Sequence, residues 1–198
     1  MIYKEFNEIK LSELGFGTMR LPQLKDAEGN PGAVDEAMVD KMIDYAMEHG
    51  INYYDTAYPY MNGESERVVG KSLNRYPRES FYLATKYPGH MHMKNNDPKT
   101  IFEEQLQKCG VEYFDFYLLH NIYENSLATY MDPKLGVLDY FLKEKEAGRI
   151  KYLGFSAHGS TNNLKEILNY CGDKMDFVKS SLTIWTGRCS RLRKNAGF

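Results

Sequence analysis

Cysteine is scarce in this chain, with three in 198 residues, at positions 109, 171 and 189. An odd, scattered set builds neither a disulfide framework nor a metal-ligand spacing, and it fits a reducing compartment. Neither sign of charge dominates, since 25 Lys and Arg stand against 27 Asp and Glu for a net charge of −2. That balance gives no basic surface for nucleic acid and none for an anionic membrane. No apolar run approaches the roughly 20 residues that a membrane helix needs. The opening Met1-Ile-Tyr-Lys-Glu-Phe-Asn-Glu8 is charged from the start, unlike a secretory leader. Linkers and low-complexity tracts are also missing. So is the Gly-x-Gly-x-x-Gly turn of a dinucleotide fold, of which Gly15-Phe-Gly17-Thr18 has only the beginning. These absences leave a soluble, cytoplasmic, globular chain, long enough for one well-buried domain, as the expectation.

What is present is an alternation of two periods. Tyr3–Phe6 and Ile9–Leu11 read as a hairpin, and the first core strand falls near Glu13–Gly17. A helix is predicted from Asp35 to Glu48, with Met38, Val39, Met42, Ile43 and Ala46 on one face and Gly50 as its stop. Strand Ile51–Tyr54, a helix over Ser65–Leu73 and strand Phe81–Thr85 follow. Asp97-Pro98 opens a helix that runs to Gly110, a side-chain cap followed by a residue lacking the N–H that cannot be used there. Then come strand Asp115–Leu119, a helix near Val137–Ala147 and strand Ile150–Phe155. A further helix with capping-box spacing at Asn163-Leu-Lys-Glu166 ends near Cys171-Gly172, and Met175–Val178 begins one more strand. Strands that alternate with helices and show little polar alternation imply a parallel sheet covered on both faces. The fold class read here is α/β, a parallel (β/α)8 barrel type that is incomplete: five β/α units and a sixth strand.

Four polar residues stand at or just beyond the ends of these apolar runs: Asp55, Tyr60, Lys86 and His120. A parallel barrel places its chemistry at strand ends of this kind. Taken singly, Asp55 also suits a turn cap and His120 a hydrogen-bonded core histidine. The joint set of an acid, a phenol, an ammonium and an imidazole can move a proton at a carbonyl oxygen. One rival from the residues alone is a metal-dependent barrel hydrolase using His90, His92, His120 and Asp55. Against it, His90-Met-His92 lies in a Met- and Lys-rich loop beyond the strand end, where a solvated loop is the simpler reading.

The segments Leu14-Gly-Phe-Gly-Thr-Met19, Gly50-Ile-Asn-Tyr-Tyr-Asp-Thr-Ala-Tyr-Pro-Tyr60, Ala84-Thr-Lys86, Asp115-Phe-Tyr-Leu-Leu-His120 and Gly148-Arg-Ile-Lys-Tyr-Leu-Gly-Phe-Ser156 resemble the aldo-keto reductase family. Tyr58-Pro-Tyr-Met-Asn-Gly-Glu-Ser-Glu66 and the Leu-Leu-His-Asn run are most similar to its bacterial branch that often carries a C-terminal iron–sulfur extension, which this sequence lacks. The resemblance implies reduction of an aldehyde or ketone by NADPH, with Asp55, Tyr60, Lys86 and His120 as the catalytic tetrad. It places Gly17, Thr18, Met19, Asp55 and Ser156 at the cofactor. Ala157 stands where the family pairs its serine with asparagine, and His158 is the candidate replacement. The tetrad reading expects the Lys86 ammonium to lower the pKa of the Tyr60 phenol, making it more acidic. No metal is implied, and the expected partner is a small carbonyl substrate.

The family's pyrophosphate and 2′-phosphate contacts follow strands seven and eight, which the sequence does not reach, so weakened NADPH binding is expected. A catalytically silent barrel fragment is the alternative that follows. The division expected is 1–178 as the barrel's front part and 179–198 as an aberrant tail. The family's sixth strand reads approximately Gln-Ile-Gln-Leu-Asn-Tyr-Leu-Asp-Trp-Thr-Leu-Gln. Codons for that strand, read after dropping one base, return Lys179–Ser190 as found here. The tail is therefore expected to be a shifted reading frame, poorly ordered or packed outside the register of the sixth strand.

Overall fold

Helix caps and strand patterning account for most of the architecture. The computed structural model describes residues 1–91, 93 and 96–180. In chain order its elements are β1 (Tyr3–Phe6), β2 (Ile9–Ser12), β3 (Phe16–Gly17), β4 (Gln23–Lys25), β5 (Pro31–Val34), α1 (Glu36–Glu48) and β6 (Tyr53–Asp55). They continue with α2 (Ser65–Leu73), β7 (Tyr82–Tyr87), α3 (Pro98–Cys109), β8 (Phe114–Ile122), α4 (Leu127–Met131) and α5 (Val137–Glu146). The last are β9 (Ile150–Ala157), α6 (Thr161–Cys171) and β10 (Phe177–Ser180).

Asp35 starts α1 by accepting a hydrogen bond from Met38 N at 3.0 Å. Val39, Ile43 and Ala46 form its buried stripe, while Met38 and Met42, expected on the same face, are exposed. They sit one residue behind that stripe, about 100° around the helix, at its exposed margin. Asp97 caps α3 through Thr100 N at 2.8 Å, and Gly110 closes it with φ +64°. The cap of α6 is Ser160, three residues ahead of the expected capping box, which lies inside the helix. Three elements were not legible, β4, β5 and α4. The β4–β5 hairpin is polar and exposed, shaped by Asp26 accepting from Asn30 N at 2.7 Å and Glu28 N at 3.1 Å. The short α4 carries too few residues to show a period.

Six strands form one parallel sheet in the order β10-β9-β8-β7-β6-β3. Its outer face packs on the helices through a large cluster that includes Leu83, Phe102, Tyr117, Phe141 and Leu153. Its inner face is a second cluster of Ala84, Phe116 and Leu118 with Tyr53, Tyr152 and Phe177 against them. The β1–β2 hairpin covers one end of this interior, where Phe6 meets Phe116 at 5.5 Å and Tyr152 at 5.1 Å between ring centroids. Helices outside, a concave aromatic interior and an all-parallel sheet make this an incomplete (β/α)8-type barrel. Among the described residues no helix is long and apolar enough to cross a membrane.

The sixth strand departs from expectation. Lys179 and Ser180, assigned above to the tail, continue β10 in register with Ser156 and Ala157 of β9. Backbone pairing needs no particular side chain, so an exposed Lys-Ser pair extends the strand as well as the expected residues would. Residues 181–198, the remainder of that expectation, lie outside the described residues.

Helices α2 and α3 cross closely at Gly70, where an added Cβ would lie 2.3 Å from Cys109 O. Gly70→Ala is therefore expected to destabilise the chain by about 1–3 kcal/mol through forced separation of the two helices. Urea unfolding measures it, and an alanine variant as stable as the parent would contradict this packing.

Candidate active site

Strands β6, β7 and β8 are neighbours, so the residues at their C-terminal ends share one mouth. Asp55 ends β6, Lys86 lies near the end of β7, and His120 lies near the end of β8. Tyr60 opens a single turn of 3-10 helix, Tyr60–Gly63, in the loop after β6. The Lys86 ammonium donates to Asp55 Oδ1 at 2.7 Å and to Thr56 O at 2.5 Å. Lys86 is 2% exposed and Asp55 6%, so this ion pair is cut off from water. Lys86 Nζ lies 4.8 Å from the centroid of the Tyr60 ring, which meets the His120 ring edge-on at 5.7 Å. All four residues converge, with Lys86 between Asp55 and the Tyr60 ring.

Burial shapes the charges. It pushes the Lys86 ammonium down, while Asp55 and, from behind the sheet, Glu66 push back. It also holds the Tyr60 phenol up at about 12, with Asp55 adding to the effect and Lys179 opposing it. This corrects the expectation of a phenol made more acidic by Lys86. The ammonium lies over the ring face and its hydrogen bonds go to Asp55 and Thr56, so desolvation prevails.

His120 is depressed to about 2 by burial first and by the Lys86 charge second, so its imidazole is neutral. An imidazole of this kind gains its proton only on unfolding. Its contribution to stability is whole above the ordinary value of 6.5 and is lost as pH falls toward 2. The expected slope is up to about 1.4 kcal/mol per pH unit. His120→Asn should flatten the acid limb measured by urea unfolding between about pH 6 and 4. An unchanged limb would refute the assignment.

The backbone beside these residues is unusual. Met61 and Asn62, directly after Tyr60, have φ of 54° and 57°, and Asn121, directly after His120, has 55°. Non-glycine residues in the left-handed region cluster where the surrounding fold fixes a site.

The residues expected at a cofactor are placed unevenly. Ser156 is buried beside the mouth and accepts from Asn121 N at 2.7 Å. Met19 is exposed, and among the described residues, chain neighbours aside, Gly17 has no atom within 4 Å of where a side chain would begin. Thr18 is fully buried, and its hydroxyl donates to Asp55 O at 2.9 Å and lies 2.8 Å from Ser65 Oγ. That hydroxyl secures Asp55. Lys179 was missed by reasoning from sequence, because it belonged to the segment set aside as a tail. Its ammonium reaches Asp55 Oδ2 at 2.8 Å from the end of β10, giving the carboxylate a second cation. His90 was read only as a metal candidate, and its ring packs on His120 at 4.6 Å. His92, the other half of that reading, lies outside the described residues. Among the described residues, no group of three His, Cys, Asp or Glu is placed to hold a metal ion.

With the geometry in hand, comparison with known proteins is specific. The family model described as Aldo/keto reductase family matches residues 13–194. A Glycine max protein named Probable aldo-keto reductase 1 is 31% identical over 159 residues, covering 74% of this chain and 42% of its own length. The NADH-specific methylglyoxal reductase of Escherichia coli (strain K12) is 28% identical over 197 residues, covering 89% of this chain and 57% of its own. The chain thus spans about half the length of these curated relatives. Among solved structures, the holo form of an aldo-keto reductase from Bacillus halodurans superposes with a TM-score of 0.72 at 28% identity. That superposition covers 100% of this chain and 64% of the other. A match of this extent places the chain in the aldo-keto reductase family.

Proposed function

We propose that this chain carries the proton-handling part of an NAD(P)H-dependent reductase that converts an aldehyde or ketone into an alcohol, with NADPH as the expected donor. The observation that carries the reading is the buried Lys86–Asp55 pair at 2.7 Å beneath the Tyr60 ring, with His120 edge-on to that ring. A carbonyl oxygen set between Tyr60 and His120 receives a hydrogen bond from the neutral imidazole, which polarises it. Tyr60 gives its proton to that oxygen as negative charge builds there. The Lys86 and Lys179 ammonium groups then stabilise the phenolate, which regains its proton from solvent at the open side of Lys179.

Ser156 fits the amide end of a nicotinamide: its oxygen accepts from Asn121 N, and among the described residues no acceptor takes its own proton, which a carbonyl could receive. Among the described residues, Gly17 leaves room beside its backbone and Met19 is exposed. When bound, a dihydronicotinamide supplies the hydride, and the side chains derived above supply the proton.

The Escherichia coli relative is named for methylglyoxal and NADH. The test is therefore reduction of methylglyoxal and a nitrobenzaldehyde by the purified chain with NADPH and with NADH. Consumption of either donor that depends on the carbonyl supports the reading. No consumption with either, and no quenching of protein fluorescence by either, would leave a catalytically silent barrel fragment. A further expectation concerns pH. A phenol held near 12 keeps its proton, so the reduction rate should not fall across the ordinary phenol range near pH 10. A rate profile with a midpoint there would contradict the raised pKa of Tyr60, while leaving its donor role to the Tyr60→Phe variant.

A further inference from the structure

We infer that Ser65 and Glu66, the first two residues of α2, are positioning residues for this site: from behind the sheet they fix the backbone that carries Thr18, Asp55, Thr56 and Lys86. The inference rests on the reductase reading above. Glu66 is fully buried, and its Oε1 accepts from Thr85 Oγ1 at 2.6 Å and from Gln105 Nε2 at 2.5 Å. Gln105 Nε2 also reaches Lys86 O at 3.1 Å, and Gln105 Oε1 accepts from Tyr117 OH at 2.5 Å. Neighbouring strand residues face opposite sides, so Thr85 turns toward the helices as Lys86 turns into the mouth. Glu66 and Gln105 therefore grip β7 at the residue before Lys86 and at the Lys86 carbonyl itself.

Ser65 does the same for the two strands alongside. Its Oγ donates to Thr18 O at 3.2 Å and lies 2.8 Å from Thr18 Oγ1 and 2.9 Å from Thr56 Oγ1. Thr18 in turn bonds Asp55 O from both its N, at 3.0 Å, and its Oγ1, at 2.9 Å. Thr56 O is the second acceptor of the Lys86 ammonium. One helix turn thus reaches the backbone on both sides of the Asp55–Lys86 pair. The arrangement carries a cost, because Glu66 Oε2 is buried with no hydrogen-bond partner among the described residues. An apolar residue of similar volume would avoid that penalty, so packing alone does not call for a carboxyl here.

The test uses Glu66→Gln, which keeps an acceptor oxygen, and Glu66→Leu, which removes it, each in the full chain. Two readouts are needed: kcat and KM for a nitrobenzaldehyde, and the Lys86 ammonium signal in the NMR spectrum of 15N-lysine protein. The leucine variant is expected to lose about tenfold to hundredfold in kcat, as for a small misplacement of reacting groups, with KM little changed. Its Lys86 signal should shift or broaden, while the glutamine variant keeps both parent values. If Glu66→Leu does not fold, Gln105→Leu breaks the link to the Lys86 carbonyl and should give the same pair of changes. A folded leucine variant with parent kcat and an unmoved Lys86 signal would overturn the inference. Absence of turnover in the parent would count against the reductase reading alone, because the NMR signal decides the positioning role without turnover.

Discussion

Phenylalanine at position 60 is expected to lower carbonyl reduction by roughly 10²–10⁴-fold in kcat, the usual worth of a positioned general acid. The change removes one oxygen and keeps the ring that faces Lys86 at 4.8 Å and His120 at 5.7 Å. Among the described residues the Tyr60 hydroxyl makes no hydrogen bond, so the fold loses nothing there. Stability should therefore stay within about 0.5 kcal/mol of the parent. Such a split between rate and stability is what separates a proton donor from a packing residue. The measurements are kcat with a saturating aldehyde and a urea unfolding curve on the same preparation. A Tyr60→Phe protein that reduces the aldehyde at the parent rate would end the assignment.

Reasoning from sequence reached the tetrad because strand ends are visible as places where an apolar run stops at a polar residue. Phe81-Tyr-Leu-Ala-Thr before Lys86 is such a run, and Lys86 is buried against the nearest carboxylate. The helices were legible wherever a cap and a stop frame them, as Asp97 and Gly110 do for α3. Desolvation was not legible. The acidity of Tyr60 depends on how much water the loop excludes and on which face the ammonium approaches, and neither is written in residue spacing. Lys179 was hidden for a related reason: its partner lies 124 positions away, and only the curl of the sheet brings β10 over β6. Glu66 was quoted as part of a motif, yet its grip on Lys86 passes through Gln105, which no local pattern connects to it.

Methionine at position 86 is the second large effect, and it should strike stability as well as rate. The unbranched Met side chain fills much of the same volume, but it leaves Asp55 Oδ1 and Thr56 O without their donor. Removing one member of a buried ion pair costs about 3–5 kcal/mol, because the remaining charge stays out of water. Lys179 still holds Asp55 Oδ2 at 2.8 Å, which puts the expectation at the lower end, about 3 kcal/mol. A loss of that size is a large part of the whole stability of an ordinary domain. The rate should also fall, by about 10²-fold, since the phenolate formed at Tyr60 loses the cation that lies over its ring at 4.8 Å. Adding Asp55→Asn to Lys86→Met distinguishes charge from packing. If the single variant suffers from a stranded carboxylate, the double variant should recover about 1–3 kcal/mol of the loss while remaining as slow as Lys86→Met. If instead the two losses simply add in urea unfolding, the Asp55–Lys86 pair is not coupled. Lys86 would then act on Tyr60 alone, through the ring face it covers.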